Sequence, residues 1–285
     1  MSSPDASRVV IEARRGFTPL ELRELWGYRD LVTFLALRDL RARYKQSALG
    51  IAWALLQPLG TMLAFSALFG ILLGRSRMPG VAGVPYEVST FCALVPWQLF
   101  ASSLVASGNS LVQNQALITK IYFPRLVAPI APILAAGVDF ALALAVLLGM
   151  LLYAGITPGL GLLWLPAFAL LAALAALGAS LWLAALNALY RDVRHALPFL
   201  AQLWMFATPV VYASERVLAG RPAWLTIVYA LNPMAGVVEG FRFSLLGTPP
   251  PSPVLLLGAC CGTALMLIGG AYFFRRLEQT FADRV

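Results

Sequence analysis

Apolar residues in this chain come in long runs, separated by short stretches rich in charge, glycine and proline. The sharpest change of pattern is at Lys45. Before it, Leu25, Leu31, Phe34, Leu35 and Leu37 alternate with charges at helical spacing, and Arg38, Arg41 and Arg43 crowd the end of the stretch. After it no charged residue occurs until Arg75. At ~1.5 Å of rise per residue, that uncharged run exceeds the ~30 Å hydrocarbon core of a bilayer. The pattern therefore predicts an amphipathic helix over residues 18–45, lying in the membrane interface and broken near Gly27, and then a first membrane span over about 50–74. Trp26 and Tyr28 would sit at headgroup depth. Thr18, Pro19 and Glu21 read as the capped start of the interface helix. Residues 1–17 are polar, lack the apolar run of a signal peptide and read as a loosely held tail.

Further apolar runs predict spans over about 88–108, 126–154, 162–186, 196–212 and 254–274, with the fifth short and Pro209 in its outer half. Between spans five and six lie two apolar pieces, 224–231 and 234–246, each too short to cross. Asn232 as N-cap, Pro233 at the first helical position and Gly247 as a stop frame the second piece. Two short helices on the outer side read as a re-entrant hairpin, which is tolerable at that depth only against protein or water. Pro209, Pro233, Gly236, Gly240 and Gly247 are read as points where this hairpin bends during function. The predicted fold class is an all-α integral membrane protein, with six transmembrane helices in a domain of residues 46–285.

Composition fits that class. Of 285 residues, 60% are hydrophobic and 12% charged, a charged share about half that of a soluble domain. The net charge of +8 does not signal a nucleic-acid partner, because the basic residues crowd before residue 46 and flank the spans. That is the topological use of positive charge, aided by attraction to membrane lipid. Of the 21 Lys and Arg, only Arg75, Arg77, Arg216, Arg221 and Arg242 fall on the outer side or in the hairpin. This bias puts both termini in the cytoplasm and requires an even number of spans. Cys92, Cys260 and Cys261 lie in apolar runs without metal or disulfide spacing, and His195 is the only histidine. No G-x-x-x-x-G-K-[ST] motif occurs, and no soluble stretch is long enough for a nucleotide-binding fold. ATP and Mg, if used, belong to a partner, and no cofactor is expected in this chain.

The stretch WGYRDLVTFLALRDLRARYKQSALGIAWALLQPL (26–59) resembles the first-span region of the membrane subunits of polysaccharide ABC exporters. These are the O-antigen, teichoic acid and capsule-type permeases of the ABC type-2 family. The likeness continues in order through LVPWQLF (94–100), ITKIYFPRLVAPIAPIL (118–134), LNALYRDVRH (186–195), ATPVVYASERV (207–217), LNPMAGVVEGFRFSLLG (231–247) and FRRLEQTFADRV (274–285). The resemblance implies a homodimer enclosing a channel in the bacterial inner membrane, two copies of a cytoplasmic ABC ATPase, and a polyprenyl-linked glycan as cargo. A permease for a drug or a simple lipid is the alternative within the same family. A membrane-embedded glycosyl or lipid transferase is disfavoured, because Asp139 is the one acidic residue in the spans and no paired carboxylates or histidine join it.

An ATPase can drive such a chain only through its cytoplasmic surface. The largest candidate is the segment 109–125, amide-rich and then amphipathic, where the family has its coupling helix. Its candidate contacts are Leu111, Asn114, Leu117, Ile118, Lys120 and Arg125, with Arg191 and Arg194 in the next inner loop. Aromatic rings pack on sugar CH faces, and the family lines its channel with spans one and five. Trp53, Phe65, Phe69, Trp204, Phe206 and Tyr212 are therefore the candidate channel residues. Glu239 and Arg242 are three apart on the second hairpin helix and can pair, either to tie the hairpin together or to hold an outer gate over the channel mouth. Asp139, a carboxylate inside span three, is a functional candidate by its cost alone, or bonds a neighbouring helix.

Overall fold

The computed structural model describes residues 22–45, 49–50, 52–73, 81, 83–214, 218 and 220–284. The expected helix start at Thr18, Pro19 and Glu21, and Arg75, Arg77 and Arg216, lie outside the described residues. Among the described residues every regular element is a helix. The N-terminal helix is broken at Tyr28, next to the expected Gly27, into α1 (Leu22–Gly27) and α2 (Arg29–Tyr44). Then come α3 (Ala52–Leu73), α4 (Tyr86–Gly108), the short α5 (Ser110–Gln113) and α6 (Gln115–Lys120), and α7 (Val127–Tyr153). A 3-10 turn at Leu160–Trp164 leads into α8 (Leu165–Leu189), followed by α9 (Val193–Phe206), α10 (Ala223–Ala230), α11 (Pro233–Leu246) and α12 (Pro253–Arg284).

Among the described residues, five helices are long and apolar enough to cross a membrane: α3, α4, α7, α8 with its leading turn, and α12. They coincide with the expected spans one to four and six, because each is an uncharged or nearly uncharged run of sufficient length. The expected fifth span differs. Its helix, α9, has 14 residues, or ~21 Å of rise, and the chain leaves helical geometry after Phe206. The last helix also differs, running without a break past the apolar stretch into Arg275, Arg276 and Glu278. A change from apolar to charged residues ends a membrane span but does not end a helix.

α4 is the centre of the fold. Nearly all of it is buried, with α3, α7, α8, α9 and α11 packed around it. At its C-terminal end the Ser107 hydroxyl donates to the Pro129 carbonyl (2.7 Å), and the Asn187 amide donates to the Gly108 carbonyl (2.9 Å) and to Asn109 Oδ1 (3.0 Å). These bonds tie the ends of α4, α7 and α8 into one unit. α3, by contrast, leaves Trp53, Leu56, Leu63, Leu68, Ile71 and Leu72 uncovered.

The hairpin has the expected local chemistry. The Asn232 side chain accepts from the Met234 amide (3.2 Å), Pro233 opens α11, and Gly247 closes it in the left-handed conformation at φ 68°. Its packing shows a second use for two of the glycines expected to bend, Gly236 and Gly240. Almost every residue of α11 is buried, against α4, α8 and α12. A Cβ at Gly240 would collide with the Phe168 ring, and one at Gly236 would lie 2.5 Å from Ala259 Cβ. On α12, a Cβ at Gly258 would lie 2.6 Å from the Ala230 carbonyl oxygen, and one at Gly262 would strike that of Leu231. Gly258 and Gly262 let α12 touch the end of α10 backbone to backbone, whereas Gly236 and Gly240 make room for the Ala259 and Phe168 side chains. They are contact points, and α11 is part of the core.

Candidate functional site

The N-terminal helix ends on the intramembrane carboxylate. α2 runs alongside the first half of α7, with Val32, Leu35 and Ala36 packed on Phe123, Val127 and Ala131. At the far end of this contact the Arg43 guanidinium and the Tyr44 hydroxyl both donate to Asp139. Burial first, and the Asp139 carboxylate second, push the Tyr44 hydroxyl up to about 12. It therefore keeps its proton at neutral pH and acts as a donor. A costly carboxylate is thus matched by a cation and a neutral donor from a polar helix. The sequence reading singled out Asp139 and missed Arg43 and Tyr44. The available signal was that Arg43 is among the last cations before an uncharged span.

The candidate coupling segment is two short helices rather than one. Asn114 breaks it, its side-chain amide donating to the Ser110 carbonyl (2.8 Å), and Ile121 leaves in extended geometry. Leu111 is 0% exposed, inserted between Leu126, Leu181, Ala185 and Phe274, and Asn114 is 4% exposed. Both side chains are turned into the fold and offer no surface to a partner, which corrects their assignment as contacts. Leu117 and Ile118 are half-buried against α2 and α7. Lys120, Ile121 and Tyr122 are exposed at the tip, Arg125 is half-buried, and Arg191, Arg194 and His195 are exposed on the next turn. Among the described residues no group of His, Cys, Asp and Glu could hold a metal ion.

The candidate channel aromatics divide. Trp53 on α3 and Phe206 on α9 are exposed, whereas Phe65, Phe69, Trp204 and Tyr212 are half-buried. Phe65 stacks on Phe69 (6.3 Å between centroids), whose edge meets Tyr86 (6.0 Å), and Trp204 meets Phe100 edge-on (5.0 Å). The half-buried rings therefore fasten α3 and α9 to α4. The outward faces of these two helices are carried by Trp53 and Phe206, joined by Leu63, Phe199 and Leu203.

Glu239 and Arg242 pair across one turn of α11, with Arg242 Nη1 3.0 Å from Glu239 Oε1. Among the described residues Arg242 is the largest fully buried side chain, at 1% exposure. It also donates from Nη1 to the Tyr212 carbonyl (3.1 Å) and from Nη2 to the Val210 carbonyl (3.3 Å). Glu239 Oε1 accepts from the Ser214 backbone amide (3.1 Å). The pair thus holds the non-helical chain that follows α9, a target the sequence reading did not foresee. The Tyr86 hydroxyl, donating to the Val211 carbonyl (3.3 Å), and Asn232 belong to the same arrangement.

Comparison with known proteins agrees in extent with this architecture. The O-antigen export system permease protein RfbA of Myxococcus xanthus is 29% identical over 266 residues, covering 93% of this chain and 98% of that protein. A protein of the same name from Klebsiella pneumoniae is 28% identical over 255 residues, covering 89% and 94%. The polysialic acid transport protein KpsM of Escherichia coli is 32% identical over 104 residues, covering 36% and 37%. The family description "ABC-2 type transporter" matches residues 30–246, from the start of α2 to the end of α11. With its helical architecture and that match over most of its length, the chain belongs to the ABC-2 type transporter family.

Proposed function

We propose that this chain is the channel-forming permease of an ATP-driven exporter that moves lipid-linked polysaccharide outward across the bacterial inner membrane. The observation that carries this reading is the likeness, over nearly the full length, to permeases named for O-antigen export. The shorter likeness to a polysialic acid transporter supports a glycan over a drug or a simple lipid. Two copies form the channel, since α3 and α9 keep apolar outward faces that a second copy would cover. ATP is hydrolysed by a separate pair of cytoplasmic subunits, because the chain carries no phosphate-binding loop.

Six spans follow if α9, with the non-helical residues 207–212, counts as the fifth. α10 and α11 then re-enter from the outer side, and both termini are cytoplasmic, as the distribution of Lys and Arg requires. α1 and the start of α2 lie at the inner interface, and α2 rises along α7 to Asp139. The exposed tip around Lys120 and Ile121 meets the ATPase.

The test is reconstitution of the chain with its ATPase subunit in vesicles carrying a polyprenyl-diphosphate-linked glycan on one face. ATP should bring the glycan within reach of a glycosidase on the other face, and neither subunit alone should do so. Transport of a simple lipid or a drug in place of the glycan would overturn the polysaccharide reading. Phosphate release by the purified chain alone would overturn the division of labour.

A further inference from the structure

A helix that stops inside a membrane leaves its last carbonyls without partners, and lipid supplies none. Several carbonyls in and beside the break after α9 are matched by side chains. The Phe206 carbonyl accepts from the Tyr212 hydroxyl (3.3 Å) and the Ala207 carbonyl from Asn232 Nδ2 (3.1 Å). Val210 and Tyr212 are served by Arg242, Val211 by Tyr86, and the Ser214 amide by Glu239. Asn232 Nδ2 also donates to Thr208 Oγ1 (3.0 Å), while its Oδ1 takes the Trp204 indole (3.0 Å). Tyr86 stands on α4, and Asn232, Glu239 and Arg242 stand at the start of α11 or within it, and α11 is locked to α8 and α12 by the glycine contacts described above. α9 itself buries few side chains, Leu197 and Ala201, and meets α4 through Trp204.

We propose that Arg242 is a positioning residue for export: its two-pronged guanidinium fixes the unwound chain over 207–214 against a rigid hairpin, so that α9 moves about this anchored end while the hairpin stays still. The proposal rests on the six-span reading. It assigns Glu239 to orienting the guanidinium and capping Ser214, a geometric task that a neutral acceptor can perform. It assigns Arg242 a task that charge alone does not fulfil, because a planar fork aims one nitrogen at the Val210 carbonyl and the other at that of Tyr212, whereas an ammonium is a single point donor on a flexible stem.

The experiment places Val210→Cys in a chain whose three native cysteines are replaced by alanine, in vesicles with the outer face exposed to a membrane-impermeant maleimide. Val210 is fully buried, so labelling should be slow. Arg242→Lys should speed labelling about tenfold, as expected for the loss of one buried hydrogen bond, and should abolish glycan export. Glu239→Gln keeps an acceptor oxygen at the same place and should therefore label clearly more slowly than Arg242→Lys. If Arg242→Lys labels like the parent, the fork is not what holds the segment. If Glu239→Gln labels as fast as Arg242→Lys, the pair acts by charge, and the geometric assignment is overturned. Should Arg242→Lys fail to accumulate, Tyr86→Phe with Val211→Cys gives the same reading: faster labelling supports the clasp, and unchanged labelling overturns it. Labelling is read without ATP, ATPase or glycan, so its outcome is independent of whether the cargo is a polysaccharide.

Discussion

Removing the carboxylate of Asp139 should release the end of α2 from α7, and the geometry bounds the size of the effect. The Arg43 side chain is 34% exposed and that of Asp139 12%. An exposed ion pair contributes ~0–1 kcal/mol, and breaking a buried one costs ~3–5 kcal/mol. A pair with one partner largely covered falls between, so Asp139→Ala should cost about 2 kcal/mol. Tyr44→Phe deletes one hydrogen bond to a charged acceptor and should cost about 1.5 kcal/mol. Arg43→Met leaves Asp139 with Tyr44 alone and should resemble Asp139→Ala. The informative quantity is the double-mutant cycle, because Asp139→Ala with Arg43→Met leaves neither charge unmatched. The double variant should be more stable than the sum of the singles by about 1 kcal/mol or more. Equilibrium unfolding in mixed micelles titrated with SDS reads this directly, following the fluorescence of the 7 tryptophans. Costs that add within ~0.5 kcal/mol would refute the pairing. α3 follows α2 directly in sequence, so the single variants should also export more slowly, and the double variant should recover part of the rate.

Four further outcomes follow from packing and exposure. Gly262→Ala drives a Cβ into the Leu231 carbonyl oxygen and should lower stability by ~1–3 kcal/mol, read as loss of monodisperse protein. Gly149→Ala meets nothing within 4 Å and should raise the thermal midpoint slightly, by the ~0.5–1 kcal/mol that alanine gains over glycine in a helix. Ile121→Asp alters an exposed tip residue and should leave the amount of chain in the membrane unchanged while uncoupling ATP hydrolysis from export. Leu111→Asp places a charge where exposure is 0% and should remove the chain itself.

The spans were legible where one property sufficed. α3, α4, α7, α8 and α12 are continuous apolar runs, and length together with absence of charge locates them without reference to any other part of the chain. The hairpin caps were legible for the same reason, since Asn232, Pro233 and Gly247 act within a turn of themselves. Amphipathic periodicity gave less. It identified an apolar side on the segment 109–125 and on α2, but a stripe does not say whether it faces its own fold or a partner. Leu111 and Asn114 proved to face inward, and Val32, Leu35 and Ala36 proved to lie on α7.

Where sequence reasoning failed, the deciding groups were polar and their partners distant. Asp139 could be flagged as costly, yet Arg43 stands 96 residues before it, and only the parallel packing of α2 on α7 brings the two together. The length of α9 is the harder case. Counting apolar residues predicts a span to residue 212, because Ala207, Val210 and Val211 are as apolar as any membrane helix. The chain leaves the helix there because Pro209 has no amide to continue it and restricts Thr208 before it, and Arg242, thirty-two residues past Val210, supplies the Val210 carbonyl with a partner that a continued helix would have given it. Residue type alone counts Arg242 among the few cations outside the cytoplasm and reads Gly236 and Gly240 as bends. In the fold the glycines bring α11 close to its neighbours, and Arg242 on that packed helix bonds the chain of the break in another. In a bilayer, backbone that leaves its helix must find its partners within the protein, so a proline such as Pro209 can end a helix there only where distant residues such as Arg242 serve the groups it frees.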